Sequence, residues 1–212
     1  MNMEKDEVLA NLSYFTQWGG GAWVNLCREA IQSLGDLNEK TLLEVGPRHG
    51  RMSVCFSLLG AKVMGIETDA AELKEAEAEA RRWHVEQNVS FLHYDGDLDH
   101  CEALRGLAFD AIFTKSVLVT LGNNLFDYLQ KLDKCLKRSG KCVFLENRHG
   151  GPICTALRKG RAILIREYPP FRALPAGQIN LINQIFNVTG IRKTMIPPIY
   201  LIMANKKTTF DR

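Results

Sequence analysis

The sequence predicts an α/β fold built on a doubly wound, seven-stranded open sheet, mostly parallel, with an antiparallel last strand. Three observations carry this. Short apolar runs alternate with helix-spaced segments along most of the chain. One of the earliest runs lies in Thr41-Leu-Leu-Glu-Val-Gly-Pro-Arg-His-Gly50, where a strand enters a glycine turn that opens a helix. The last two runs face each other across Pro197-Pro198, a link that suits a short turn and therefore antiparallel pairing.

Composition bounds the problem. At 212 residues and 46% apolar content, the chain has material for one well-buried domain with appendages. No apolar run reaches the ~18 residues that span a bilayer, and Met1 to Glu7 has neither a basic nor an apolar leader, so the expectation is a cytoplasmic protein without a membrane partner. Six cysteines occur without a Cys-x-x-Cys pair and read as buried thiols. The net charge of +3 names no partner, but Lys137 to Arg172 holds nine basic residues against Glu146 and Glu167. That excess suits either a solvated face or an anionic substrate. Interleaving with Ile153, Leu157 and Ile163 to Ile165 marks an amphipathic helix more than a phosphate-tracking stripe, which disfavours nucleic acid. Nothing in the sequence sets the oligomeric state.

Residues 1–37 read as an N-terminal helical cap. Tyr14, Phe15, Trp18 and Trp23 surround the run Gly19 to Gly21, and Val24 to Leu34 is helix-spaced; Trp18 and Trp23 are candidates for substrate contact. After the first strand, Gly50 to Leu59 reads as helix and Lys62 to Glu67 as the second strand. Glu67 lies 21 positions after Gly46, matching the roughly 20-residue separation at which a carboxylate accepts ribose hydroxyls. Asp69 caps the helix Ala70 to Trp83. Val89 to His93 is the third strand, and Asp95 and Asp97 follow it, either in the same crevice as Glu67 or shaping a turn. Phe109 to Thr114 is the fourth strand, followed by Lys115, Ser116 and Val117; Leu125 to Leu136 is helical, and Lys141 to Glu146 is the fifth strand, delivering Asn147, Arg148 and His149 beyond its end. Helices are expected near Ile153 to Glu167 and Gln178 to Asn187, then strands over Ile191 to Met195 and Ile199 to Asn205.

Two nucleotide-binding patterns fail. A Gly-x-Gly-x-x-Gly fingerprint begun at Gly46 needs glycine at positions held by Arg48 and Arg51, and no Gly-Lys-Ser/Thr follows the first strand.

Taken in order, Glu44-Val-Gly46-Pro-Arg-His-Gly50, Ile66-Glu67, Gly96-Asp97, Phe109-Asp-Ala-Ile-Phe-Thr-Lys-Ser116 and Leu136-Lys-Arg-Ser-Gly-Lys141 resemble the class I S-adenosylmethionine-dependent methyltransferases, over roughly residues 38–206. The resemblance implies a Rossmann-like domain over 38–212, a substrate-side insertion at about 147–190, and S-adenosyl-L-methionine as cofactor. It implies that Gly46 lets the methionyl part approach, with Glu44, His49 and Gly50 in the same loop. Glu67 would hold the ribose, Asp97 the adenine amino group and Leu98 a backbone contact to the ring, with Lys115 on the cofactor side past the fourth strand. Arg48 stands where the family has its middle glycine and either points away or offers a cation to the methionine carboxylate. No metal is expected, because Thr114-Lys115-Ser116 occupies the place of the Asp that magnesium-dependent relatives use.

On the acceptor side, His149 is the candidate base, since a neutral imidazole removes a hydroxyl proton near physiological pH, and Arg148 is a candidate substrate contact. These features lead to O-methylation of a small polar or anionic molecule. Two competing readings are a non-catalytic cofactor- or partner-binding module and a nucleic-acid methyltransferase. Against the latter, the Asn/Asp-Pro-Pro-aromatic motif is absent from the fourth strand, and Tyr168-Pro-Pro-Phe171 sits in the wrong segment.

Overall fold

The computed structural model describes residues 4–16, 21–148, 173–195 and 197–207. Trp18, His149, Cys154 and the helix expected near 153–167 lie outside the described residues.

Seven strands form one sheet in the order β3-β2-β1-β4-β5-β7-β6. These are β1 (Thr41–Val45), β2 (Lys62–Glu67), β3 (Val89–His93), β4 (Phe109–Lys115), β5 (Leu136–Asn147), β6 (Phe186–Lys193) and β7 (Ile199–Lys206). The first five pair in parallel, and β7 runs antiparallel to both β5 and β6. Chain order therefore reverses between β1 and β4, which opens a crevice at their carboxyl ends.

The strands read as near-continuous apolar runs because both faces are covered. Leu42, Ala111, Phe113, Val143, Leu145 and Leu201 enter one cluster with α1 (Lys5–Ala10), α2 (Leu12–Phe15), α3 (Gly21–Leu34), α4 (Arg51–Leu58) and α5 (Ala70–Arg82). Their neighbours Leu43, Ile112, Cys142, Phe144 and Ile202 enter the other, with α7 (Leu125–Lys134) and α8 (Gln178–Ile185); the short α6 (Leu118–Leu121) begins beside it. Alternate residues facing opposite layers is the period-two geometry of a strand. Cys27, Cys55, Cys101, Cys135 and Cys142 are buried free thiols within these layers.

Several boundaries differ from the sequence reading. The helix expected to reach Leu136 stops at Lys134, and Leu136 already pairs with Phe109; a register shift then carries β5 past Ser139-Gly140 into the expected strand. A side chain at Gly140 would meet Leu136 Cδ1 at 2.6 Å, so glycine permits this irregularity. The helix expected to reach Asn187 stops at Ile185, and β6 begins at Phe186, five residues before the expected strand, since its pairing with β7 continues through another shift at Val188/Gly190. Asn187, Thr189 and Gly190 mask that extension as turn composition. Finally, β4 includes Lys115.

Candidate active site

A cavity of about 370 Å³ opens at the carboxyl ends of β1, β2 and β4, lined among others by Gly46, Arg48, Glu67, Tyr94, Lys115 and Ser116. It lies at the sheet's topological switch point.

The glycine loop forms one wall. Gly46 has φ +70, and a Cβ there would stand 2.7 Å from Val117 Cγ2, so only glycine lets the loop after β1 close against the loop after β4. Arg48 also lies in the left-handed region, with φ +51, costing a non-glycine residue about 1 kcal/mol or more. Its backbone N–H donates to Glu67 Oε2 at 3.1 Å, and its guanidinium donates to Glu72 Oε1 at 3.2 Å. Gly50, with φ +71, brings the start of α4 within 2.8 Å of where its missing Cβ would touch Ala76.

Glu67 ends β2 nearly buried. Its other oxygen, Oε1, accepts from the backbone N–H of Thr68 at 2.7 Å and of Asp69 at 3.3 Å. With the Thr68 Oγ1 bond at 3.3 Å these bonds occupy Oε1 and fix the carboxylate's plane, leaving a lone pair on Oε2 for a hydroxyl donor. Asp69 caps α5 as expected, accepting from Ala71 and Glu72 N–H groups.

Lys115 closes the opposite wall. Its ammonium donates to the Thr16 carbonyl at 2.9 Å. Burial pulls its pKa down, while Cys27 and Glu44 favour the charge and Arg48 and Arg51 oppose it. Glu44 is buried behind the loop, bonded to Ser53 Oγ, and its pKa is pushed up to about 7 by burial. The cavity thus carries acids at Glu67 and Glu72, with Arg48 bonded to both, and an ammonium at the end of β4, Lys115.

The remaining candidates sit elsewhere. Asp97 caps the short turn Leu98–His100, with its carboxylate on Lys131 Nζ at 2.7 Å, and this ammonium holds its carboxyl below the usual range. Neither Asp97 nor Leu98 lines the cavity; Tyr94 and Gly96 take that edge. His49 is not among the residues lining the cavity; its Nδ1 lies against the carboxylates of Glu72, at 3.1 Å, and Glu75 on α5, joining loop and helix. Trp23 packs in the core along α3. Arg148 follows β5 and donates to the Thr194 carbonyl at 2.8 and 3.0 Å, with its guanidinium 5.8 Å over the Tyr200 ring, so it ties β5 to the β6–β7 hairpin.

Sequence reasoning passed over two features. Glu146, fully buried, accepts from Val117 and Leu118 N–H groups at 3.1 Å and Val119 N–H at 3.3 Å, stapling the loop after β4. Ser116, with φ +61, is held by Asn147 Nδ2 on its Oγ at 3.2 Å. The acid at the end of an apolar strand was a visible signal for the first, whereas backbone strain at a serine leaves none.

Fold and crevice together define an open α/β protein with a cavity at the carboxyl ends of its central strands and a carboxylate, Glu67, at its edge. A methyltransferase-domain family model matches residues 43–144, just under half of the chain. The structure is similar to an S-adenosylmethionine-dependent methyltransferase from Mesorhizobium loti, at 15% identity and TM-score 0.68, covering 89% of this chain and 99% of that one. It is also similar to geranyl diphosphate C-methyltransferase from Streptomyces coelicolor A3(2), at 14% identity and TM-score 0.67, covering 96% and 84%. No curated protein matches the chain in sequence. The residues fit S-adenosylmethionine: a side-chain-free loop at Gly46, an oriented carboxylate at Glu67 and the Lys115 ammonium at the end of β4 suit a ligand with a diol at one end and a carboxylate at the other.

Proposed function

We propose that this protein is a methyltransferase that acts on a hydroxyl oxygen of a small polar or anionic acceptor, with Gly46, Arg48, Glu67 and Lys115 holding the cofactor and His149 as the base. The observation that carries the reading is the cavity itself, lined by the Glu67 carboxylate at the end of β2, by Lys115 at the end of β4 and by the strained Ser116 after it. S-adenosylmethionine supplies a methyl group on a positively charged sulfur. What this chain contributes is alignment, because transfer to an in-line nucleophile needs little beyond positioning and removal of the hydroxyl proton.

His149 follows Asn147 and Arg148 at the carboxyl end of β5, and Arg148, tied to Thr194, anchors that end. Neutral imidazole takes the acceptor's proton as the new oxygen–carbon bond forms. The N-terminal helices and the 147–190 segment supply the acceptor side, where the basic run from Lys137 to Arg172 attracts anionic acceptors. The Streptomyces coelicolor neighbour, named for C-methylation of geranyl diphosphate, supports a small anionic acceptor on this fold.

Turnover with hydroxyl acceptors should rise with pH through the histidine range and fall on the order of 10²-fold or more in His149→Ala. Unchanged turnover of that variant at saturating acceptor would remove the base and move the acceptor to a nitrogen, sulfur or carboxylate.

A further inference from the structure

The N-terminal cap is held at its end by two cations, Arg51 and the cavity-lining Lys115. Arg51, at the start of α4, donates to the Tyr14 carbonyl at 3.3 Å and lies 4.6 Å over the Tyr14 ring. Lys115, which lines the cavity, donates to the Thr16 carbonyl. Both carbonyls belong to the last turn of α2, the negative end of the helix, where cations are favoured. Leu12, Phe15 and Thr16 are fully buried, so the cap is seated and its end is fixed by the lysine. An ammonium carries three donors, and Thr16 takes one.

We propose that Lys115 is a positioning residue that couples the cap to the cofactor, its ammonium bridging the Thr16 carbonyl and the methionyl carboxylate. The inference rests on the cofactor assignment above. One charged group serving both partners makes occupancy and cap attachment mutually reinforcing, and by linkage the effect is reciprocal. A residue 99 positions away in sequence thereby reports whether the cavity is filled.

The test compares S-adenosylhomocysteine with 5′-methylthioadenosine, which keeps the adenine, ribose and thioether and lacks the carboxylate. Calorimetry gives affinities, and hydrogen exchange gives protection of residues 4–16. S-adenosylhomocysteine should protect the cap and methylthioadenosine should not. Lys115→Met should weaken S-adenosylhomocysteine about tenfold or more, leave methylthioadenosine within about twofold, and abolish the added protection; Lys115→Arg should restore part of each. Equal cap protection by the two ligands in the unaltered protein overturns the coupling and needs no variant, should Lys115→Met not fold. Equal weakening of both ligands in a folded Lys115→Met also overturns it. If the unaltered protein binds neither ligand, the cofactor assignment itself falls, and the coupling with it.

Discussion

In the proposed function, cofactor binding turns on Glu67. Its carboxylate takes backbone N–H groups from both the glycine loop and the turn after β2, so it organises two walls of the cavity before any ligand arrives. Glu67→Ala should weaken S-adenosylhomocysteine by about 1 to 3 kcal/mol in calorimetry, through the lost charged acceptor and the N–H groups left unpaired. Glu67→Gln, which keeps one carbonyl acceptor, should lose less; equal losses would mean that charge alone matters. Spacing from Gly46 was enough to single out this residue in the sequence. Arg48 was harder to read, because its left-handed backbone and its pairing with Glu72 depend on an element that begins over twenty residues later.

At the scale of elements, the loop after β4 is held by its neighbour strand. The α6 helix has only four residues, too few to stand alone, and Glu146 on β5 takes its first N–H groups along with the Thr114 hydroxyl. Burial pushes the Glu146 pKa up to about 7 against these bonds. For an acid whose folded pKa is raised, the folded state holds the extra proton, so the associated stability is complete below about 4.5 and is lost as pH rises through about 7. Glu146→Gln cannot titrate, and urea unfolding should show the stability gap between wild type and this variant narrowing as pH climbs from about 5 to about 8. A constant gap would mean that the carboxyl is ionised throughout, held so by its N–H donors. The first four strands were legible to within a residue, because each is a short apolar run closed by a polar turn. β5 and β6 were not, since a bulge hides a strand behind turn-forming residues.

Across the whole molecule, the two ends of the sheet are built differently. Positive-φ residues stand on both sides, Arg48 and Ser116 after strands and Glu39 and His84 before them, but the two buried acids with raised pKa values, Glu44 and Glu146, lie toward the carboxyl ends. Such features cost stability and mark a site. The amino ends hold a satisfied stitch: Asp110 on β4 accepts from Thr41 N–H and Oγ at 2.9 Å and from Lys137 Nζ at 2.8 Å, joining the starts of β1, β4 and β5. Burial opposes the charge, but the bonds from Lys137 and Thr41 outweigh it and bring the Asp110 pKa down to about 2. A depressed acid contributes stability that is complete above the ordinary value of 3.8 and is lost as pH falls toward about 2. The shift corresponds to about 2 kcal/mol at neutral pH. Asp110→Asn should therefore lower unfolding stability by about that amount at pH 7, with the deficit shrinking below about pH 4. Because Asp110 stands at the far end of the strands from the cavity, affinity for S-adenosylhomocysteine should stay within about twofold of wild type, since distant sites act independently. A parallel loss of affinity and stability in this variant would show that the two ends of the sheet are not separable.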